Sequence, residues 1–391
     1  MNARKRIAFV IESLDCGGAE KSLVTLLQNL DYNQLEVDLL LLKAGGAFDK
    51  MVPAEVSVKY ITVDTSTKGA SFLWRRMRYF LSRKYGARQR HLAQKFWQAF
   101  KNGIPSWQES YDVAISYSQG FSTYYVADKM SARRKYAWLN TDYVKAGYDP
   151  QVDWPYYNVY NKVVVVSEEG GAVFTEAMQR VAATAPETII VKDISDRNVI
   201  RMQSSETIEE VFDKSLTNIV TVCRLEPPKG LHLAIEACKQ LLNKGHKVHW
   251  YIIGEGSERA RLEQLIRENG LQDHFSLLGF RENPYPYMAR ADVYVQTSLY
   301  EGWGLTLIEA TLLQKPVVTT NFPTAYQIVQ DAINGYITEM NAKDIASKIE
   351  YLIEHPATAA VMSSVKNELS EINKKKSLDT VYQLLYDNTR L

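Results

Sequence analysis

Two glutamates separated by a glycine turn form the most informative pattern in the sequence. Glu301 and Glu309 stand in the run from Ser298 to Ala310, where a strand ends, a glycine turn follows and an apolar helix begins. Eight residues of helix span about 12 Å, which suits an elongated ligand. Because free amides at a helix N-terminus attract anions, those of Gly304 to Thr306 would face a diphosphate. The alternative is that Glu309 is an ordinary acid on the helix surface.

Two cations follow the first predicted strand of the second half. Arg224 and Lys229 stand five residues apart on a loop that Pro227 and Pro228 stiffen. Arginine can donate bidentate hydrogen bonds to two phosphate oxygens, and lysine supplies a compact positive charge. The loop therefore indicates a phosphate site. Solvated surface cations are the alternative.

Three glycine motifs also follow predicted strands. They are Gly17-Gly18-Ala19-Glu20, Gly254-Glu255-Gly256 and Leu278-Gly279-Phe280. Glycine lets the backbone approach a ligand closely. For the first motif, a tight turn that requires glycine is the alternative. Each of the other two motifs is a weak signal when taken alone. The first motif is not G-x-G-x-x-G, so the dinucleotide fingerprint is missing.

Short apolar runs alternate with helical segments, which is typical of an α/β fold with buried parallel sheets. The predicted strands are 7–13, 35–43, 56–63, 111–118, 135–140, 162–167 and 188–193 in a first sheet, and 218–225, 248–254, 275–279, 292–297, 316–320 and 335–338 in a second. The predicted domains are 1–195, 196–376 and a C-terminal helix, 377–391, whose docking is left open. Since such sheets bind ligands beyond the carboxyl ends of their strands, the site is expected in the strand-to-helix loops, at a cleft between the domains.

Composition excludes several classes of protein. Lys and Arg total 46 against 45 Asp and Glu, and the net charge of +1 gives no general case for nucleic acid binding. Three cysteines are too few for a disulfide framework or a zinc site, which fits a reduced, cytosolic setting. No apolar run approaches the ~20 residues of a membrane helix, and no export signal is recognised.

In their order along the chain, these motifs resemble a family 4 retaining glycosyltransferase (glycosyl transferases group 1). The resemblance rests on Gly17-Gly18, Arg224 with Lys229, Gly254-Glu255-Gly256 and the Glu301 to Glu309 pair. It implies the GT-B architecture, which is two Rossmann-like, doubly wound α/β domains facing across a cleft. The second domain would hold most of the nucleotide-sugar donor, and the first would form the acceptor side.

The resemblance also implies a role for each matching residue. Arg224 and Lys229 would neutralise the donor diphosphate, Glu309 would hold the ribose hydroxyls and Glu301 would contact the donor sugar. The predicted donor-binding residues are Gly17, Gly18, Arg224, Lys229, Gly254, Gly256, Phe280, Glu301, Gly302, Trp303, Gly304, Leu305, Thr306 and Glu309. The predicted catalytic residues are Glu301, Arg224, Lys229, Asn140 and Asp142.

The segment from Trp138 to Asp142 departs from the family pattern. Similar bacterial members often carry a histidine where this chain has Asn140, and an amide cannot act as a general base. In a front-face retaining reaction the leaving phosphate can take the acceptor proton, so Asn140 need only hydrogen-bond. Cys223 and Trp303 also replace residues common in the family, a glycine and a phenylalanine.

No cofactor and no metal is predicted. The sequence has no Asp-x-Asp, and its six histidines show no ligand spacing such as H-E-x-x-H. The cations of Arg224 and Lys229 would take the place of a bound divalent metal, so we expect metal-independent turnover.

A basic, aromatic stretch from 65 to 108 is predicted to be an insertion in the first domain. It carries ten Lys or Arg residues and no acid. Cationic helices with aromatic residues lie in anionic membrane interfaces, so we expect peripheral association with the inner face of the cell membrane. The residues assigned to that contact are Trp74, Arg75, Arg76, Arg78 and Phe80. An insertion whose aromatic residues pack internally is the alternative.

Together these patterns predict a cytoplasmic enzyme that moves a sugar from a nucleotide diphosphate donor to a glycan or lipid-linked acceptor, with retention at the anomeric carbon. Surface polysaccharide or glycolipid biosynthesis is the expected pathway. Its partners would be the nucleotide sugar, the acceptor and an anionic membrane surface, with no nucleic acid. Two alternatives stay open: a nucleotide-sugar 2-epimerase, and a non-catalytic glycosyltransferase-like partner protein.

Overall fold

A computed structural model describes residues 4–15, 17–62, 91–208, 212–365 and 369–386. The chain forms two compact units, each with its own sheet. Unit 1 contains the described residues up to Lys192 together with those from Lys376 onward, and unit 2 contains those from Asp193 to Lys375.

Unit 1 is built on a seven-stranded sheet in the order β3-β2-β1-β4-β5-β6-β7. Every neighbouring pair is parallel. The strands are β1 Lys5–Ile11, β2 Leu35–Leu41, β3 Val56–Tyr60, β4 Ser110–Ser116, β5 Ser131–Leu139, β6 Lys162–Val165 and β7 Thr188–Ile190. All seven predicted strands of the first half are therefore confirmed, with most carboxyl ends two or three residues earlier than expected.

Helices connect the strands of unit 1. Within the described residues they are α1 Gly18–Gln28, α2 Leu92–Phe100, α3 Phe121–Lys129, α4 Pro150–Tyr157 and α5 Glu168–Gln179. Polar side chains cap several of them; for example, the Ser167 hydroxyl accepts a hydrogen bond from Gly170 N at 3.1 Å at the start of α5.

Unit 2 repeats the plan with six parallel strands in the order β10-β9-β8-β11-β12-β13. They are β8 Thr217–Val222, β9 Val248–Ile253, β10 Phe275–Gly279, β11 Val293–Gln296, β12 Val317–Thr320 and β13 Gly335–Thr338. Its described helices are α6 Arg197–Ser204, α7 Leu231–Asn243, α8 Arg259–Glu268, α9 Tyr285–Arg290, α10 Leu305–Leu312, α11 Ala325–Ile328, α12 Ala342–Glu354 and α13 Pro356–Ser364. The six predicted strands are confirmed. Strands buried on both faces explain their continuous apolar runs.

The last described helix, α14 Leu369–Tyr386, begins eight residues before the predicted C-terminal helix, 377–391. Its residues from Lys376 onward belong to unit 1, where Lys5 Nζ donates to the Leu385 carbonyl at 3.2 Å and Asp31 N donates to the Tyr382 hydroxyl at 2.8 Å. Val381 and Leu385 are fully buried.

The described end of the basic stretch, residues 91–108, packs into unit 1. Trp97, on α2, is 1% exposed, and its ring nitrogen donates to the Tyr156 hydroxyl at 3.0 Å. Phe96, Phe100 and Trp107 pack against the same core. These aromatic residues fill space beside the sheet, so internal packing, the alternative left open for the stretch, holds at this end of it. The residues Trp74, Arg75, Arg76, Arg78 and Phe80 lie outside the described residues.

None of the helices in the described ranges has the combination of length and hydropathy that crossing a bilayer requires.

Candidate donor-binding site

An ion pair between Lys229 and Glu301 lies at the carboxyl end of the sheet in unit 2. Lys229 Nζ is 2.6 Å from Glu301 Oε1 and 2.7 Å from Oε2. The two side chains are only 17% and 14% exposed. The sequence singled out both residues but gave no sign that they contact each other.

Two polar side chains at the end of β11 hold the Glu301 carboxylate. Gln296 Nε2 donates to its Oε1 at 2.9 Å, and the Ser298 hydroxyl donates to the same atom at 2.6 Å. Thr306, in the first turn of α10, donates to Gln296 Oε1 at 3.2 Å. Sequence reasoning missed Gln296 and Ser298. Their signal was the appearance of buried polar residues where an apolar strand ends, because buried polar groups need partners.

The loop that carries Lys229 is fixed by its own backbone. A short 3₁₀ turn covers Pro227–Lys229, and Leu299 N donates to the Pro228 carbonyl at 2.7 Å. Gly230 follows at φ +58°, where a Cβ would lie 2.2 Å from the Thr297 carbonyl oxygen. Glycine therefore lets the β8 and β11 loops meet, which places Lys229 beside Glu301.

Arg224 lies just beyond the end of β8 and is exposed. Within the described residues its guanidinium makes no hydrogen bond or ion pair. Lys229 thus has an anionic partner in unit 2, whereas Arg224 presents its five N–H donors to solvent.

The glycine motif after β9 serves close packing within the chain. Gly254 has φ +144°, and a Cβ there would lie 1.9 Å from the Cys223 carbonyl oxygen. A Cβ on Gly256 would lie 2.3 Å from the Leu225 carbonyl oxygen. Both glycines let the β9 loop run against the backbone that carries Arg224. Burial raises the pKa of the neighbouring Cys223 thiol to about 12.

Glu309 lies inside α10 and is 2% exposed. Its Oε1 accepts a hydrogen bond from the Tyr285 hydroxyl at 3.0 Å. Burial excludes the alternative that this residue is an acid on the helix surface. Tyr285 had no signal in the sequence, since it comes from α9, which was not predicted.

The glycine turn before α10 leaves the helix start without a side-chain cap. Gly304 has φ +96° and precedes Leu305, the first residue of the helix. Trp303 is 3% exposed and, with Ser195 and Ile308, lines a crevice of about 20 Å³, so its ring points into the interior of unit 2. A ligand at this turn would meet the backbone of Gly302 and Trp303.

Phe280 follows β10 and is half-buried. The next residue, Arg281, donates from Nε to the Tyr287 hydroxyl at 3.0 Å. Gly279 has φ +80°.

The predicted residues of unit 1 lie in two loops. The Gly17-Gly18 motif joins β1 to α1, with Gly18 as the first helical residue, so the predicted strand-glycine-helix order is present. Asn140 follows β5, and its Nδ2 donates to the Tyr117 carbonyl at 2.6 Å. The Asp142 carboxylate accepts from Val144 N at 3.0 Å and Lys145 N at 2.9 Å, and thereby shapes the turn that follows β5.

One group of possible metal ligands was not expected from the sequence. Among the described residues, His246, Glu350 and Glu354 bring one ligand atom each to within 4.8 Å of one another. Lys244 Nζ lies 2.5 Å from a Glu350 oxygen, so an ammonium already neutralises that carboxylate. None of these residues belongs to the Lys229 and Glu301 pair.

Part of the chain matches a known protein family. Residues 204–368 match the family model described as glycosyl transferases group 1. This segment of the chain is similar to that family. Residues 204–368 include every site residue assigned to unit 2, from Arg224 to Glu309.

Individual relatives are more distant. The chain is similar to a poly(ribitol-phosphate) alpha-N-acetylglucosaminyltransferase of Staphylococcus aureus, with 31% identity over 166 residues, 41% of this chain and 33% of the relative. A putative colanic acid biosynthesis glycosyltransferase of Salmonella typhimurium, WcaL, is 29% identical over 164 residues, 39% of this chain and 40% of the relative. The matched segments thus cover well under two thirds of these relatives' own lengths.

The fold is shared over almost the full chain. The solved structure of HepE from Anabaena, in complex with UDP-glucose, covers 98% of this chain and 99% of its own, with a TM-score of 0.70 and 19% identity. This likeness confirms the predicted fold class, the GT-B architecture of two Rossmann-like α/β domains.

Proposed function

We propose that this protein is a family 4 retaining glycosyltransferase that moves a sugar from a nucleotide diphosphate sugar to a glycan or lipid-linked acceptor in surface polysaccharide or glycolipid biosynthesis. The colanic acid relative supports the pathway, and HepE, solved with UDP-glucose, makes a uridine nucleotide the first donor to test.

The single observation that carries the proposal is the Lys229 to Glu301 pair beside an exposed Arg224. A diphosphate needs concentrated positive charge, and an ammonium, a guanidinium and uncapped helix amides are the groups that supply it. Unit 2 collects all three at the carboxyl end of its sheet. That edge is where open α/β sheets bind their ligands.

The donor would lie along the start of α10. Its diphosphate would be held by Arg224, Lys229 and the amides from Gly304 to Thr306, and its ribose hydroxyls by the buried Glu309. Glu301, once released from Lys229, would accept hydrogen bonds from the donor sugar. The Gly17-Gly18 loop would approach the phosphates from the first domain, and Gly254, Gly256 and Phe280 would complete the donor contacts.

Retention at the anomeric carbon follows in this proposal from front-face transfer. The bond from the anomeric carbon to the phosphate oxygen breaks, the acceptor oxygen bonds to the same face, and the acceptor proton goes to the departing diphosphate. No protein base is required for that step. Asn140 would then act by hydrogen bonding, and Asp142 by shaping the turn behind it.

A direct test measures nucleotide binding and turnover in the full chain. Thermal shifts with UDP, GDP and ADP should identify one stabilising nucleotide, because binding to the native state raises the midpoint of unfolding. The matching nucleotide sugar should then be hydrolysed slowly, and transferred when a suitable acceptor is present. An absence of stabilisation and of hydrolysis with all three nucleotide series would reject the proposal.

Product analysis separates the alternatives. NMR of the product sugar should show retained configuration and a released nucleoside diphosphate. A changed sugar that is formed without an acceptor would indicate a 2-epimerase. Nucleotide binding without hydrolysis or transfer would indicate a non-catalytic partner protein.

Metal independence is a separate part of the proposal. It rests on Arg224 and Lys229 as the positive charges and on the lack of an Asp-x-Asp motif. Turnover should survive EDTA, with a magnesium-reconstituted sample as control. Loss of most activity in EDTA, restored by magnesium, would contradict it.

Peripheral association with the cytoplasmic face of the membrane is proposed from sequence alone, since Trp74, Arg75, Arg76, Arg78 and Phe80 lie outside the described residues. Sedimentation with anionic liposomes at low salt tests it. Neutral liposomes are the control, and equal sedimentation in both would count against an electrostatic contact.

A further inference from the structure

Unit 1 contains a cavity of about 500 Å³ at the carboxyl ends of β1, β2 and β4. Its lining includes Glu12, Glu20, Lys43, His91 and Tyr148. This volume is in the range of ligand pockets, and all the lining residues belong to unit 1. Of these side chains, only Glu20 belongs to a motif noted in the sequence, Gly17-Gly18-Ala19-Glu20.

Glu12 gives the cavity a carboxylate that has spare capacity for hydrogen bonds. Its Oε1 accepts from Phe121 N at 3.3 Å, at the start of α3. Among the described residues, no group donates to its Oε2. The Glu12 carbonyl accepts from Leu42 N and Lys43 N at 3.1 and 3.0 Å, so this backbone is tied to the β2 loop. Burial raises the pKa of the carboxyl group.

An aromatic wall stands beside this carboxylate. The His91 ring stacks on Tyr148 with ring centroids 4.1 Å apart and an interplanar angle of 21°. Gly120, at φ +97°, separates Tyr148 from Glu12, since a Cβ there would lie 3.2 Å from the Tyr148 hydroxyl and 3.8 Å from Glu12 Oε1. The lack of a side chain at Gly120 therefore lets the Tyr148 phenol, the His91 imidazole and the Glu12 carboxylate lie near one another.

The charges of the described lining groups disfavour an anionic ligand. Burial lowers the pKa of His91, so its imidazole is neutral near pH 7. Among the lining residues that the structure describes, the remaining charged groups are two carboxylates, Glu12 and Glu20, and one ammonium, Lys43. Phosphate sites concentrate positive charge, whereas sugar hydroxyls pair well with carboxylates and aromatic rings.

We propose that this cavity binds an uncharged sugar residue of the acceptor, with Glu12 accepting a hydrogen bond from one of its hydroxyls. The inference rests on the proposed function and narrows it to an acceptor whose reacting end is a neutral sugar. A lipid diphosphate or a phosphate polymer, the acceptor named for the staphylococcal relative, would present its charged groups elsewhere.

The test uses the full chain and two probes, methyl α-D-glucopyranoside and glucose 1-phosphate. Saturation-transfer difference NMR should show saturable binding of the neutral glycoside and weaker binding of the phosphate sugar. Glu12→Gln should weaken glycoside binding about fivefold, the effect of one hydrogen bond of about 1 kcal/mol. Glu55→Gln, at an exposed carboxylate outside the cavity, is the matched control and should change nothing.

Three outcomes overturn the inference: no glycoside binding, equal binding to the wild type and Glu12→Gln, or tighter binding of the phosphate sugar. Thermal shifts with UDP are measured on the same samples. If UDP still stabilises the protein, the cavity assignment has failed and the proposed function stands. If glycoside binding depends on Glu12 but no nucleotide stabilises the protein, the proposed function has failed instead.

Discussion

Lys229 Nζ lies 2.6 Å from Glu301 Oε1, so the ammonium proposed to meet the donor diphosphate already has an anionic partner. With both side chains largely buried, this contact is stronger than an exposed ion pair. An incoming diphosphate must therefore compete with Glu301 for Lys229. Once displaced, Glu301 is free to accept hydrogen bonds from the sugar that the same donor carries.

Glu301→Gln should separate nucleotide binding from turnover. Removing the carboxylate charge frees Lys229, so UDP affinity should rise by about 1 kcal/mol, while turnover falls because the sugar loses its acceptor. Lys229→Gln should lower both. Isothermal titration with UDP and a hydrolysis assay measure the two effects.

Glu350→Gln is the matched control for this pair, since it neutralises another glutamate bound to a lysine in the same unit. It should leave UDP affinity and turnover unchanged. A loss of UDP affinity in Glu301→Gln as large as in Lys229→Gln would contradict the competition.

Glu309→Gln should weaken binding of UDP but not of inorganic pyrophosphate. The buried carboxylate is proposed to bind ribose, and losing a charged hydrogen-bond partner costs about 1.5–3 kcal/mol, or roughly tenfold to hundredfold in affinity. Tyr285→Phe removes one partner of that carboxylate and should have a smaller effect. Equal losses for UDP and pyrophosphate would place Glu309 at the phosphates.

Gly254→Ala should destabilise the protein far more than Gly245→Ala. Both positions have positive φ, +144° at Gly254 and +88° at Gly245. A Cβ at Gly254 would lie 1.9 Å from the Cys223 carbonyl oxygen, whereas a Cβ at Gly245 would have no other atom within 4 Å. We expect a loss of about 1–2 kcal/mol at Gly245 from strain alone, and at least twice that at Gly254. Urea unfolding measures both, and equal losses would refute the steric explanation.

Asp153 should make unit 1 less stable as the pH rises from about 4 to 6. Burial raises its pKa to about 6, against about 3.9 for an unfolded chain, although Gln94, Tyr124 and Tyr143 donate to the carboxylate. The native state therefore holds the proton more tightly within this window. The free energy of unfolding should fall by about 3 kcal/mol as the proton is lost.

Urea unfolding at several pH values measures this dependence. Asp153→Asn should lose this part of the pH dependence, because the amide does not titrate. An unchanged pH profile in the variant would show that another group causes the slope.

The sequence predicts the strands well because a buried parallel strand must be apolar on both faces. The runs at 7–13 and 248–254 are examples, and both became central strands, β1 and β9. The carboxyl ends of the strands were predicted less accurately. β1 stops at Ile11, and Glu12, which follows, lines the cavity of unit 1.

The contacts of the site could not be predicted in the same way. Lys229 and Glu301 are 72 residues apart, and only the pairing of β8 with β11 brings their loops together. The burial of Trp97 could not be predicted for a related reason. A basic, aromatic helix has the same composition whether it meets a lipid surface or a protein core, and the rings of Tyr124 and Tyr156 supplied the core.

The position of α14 has a consequence for synthesis on the ribosome. Its residues from Lys376 onward complete unit 1, where Val381 and Leu385 are buried and Tyr382 contacts Asp31. The ribosome must translate all of unit 2 before these side chains are synthesised. An apolar surface of unit 1 therefore stays exposed to solvent while unit 2 is translated. We expect chaperones to bind the nascent chain mainly during this interval.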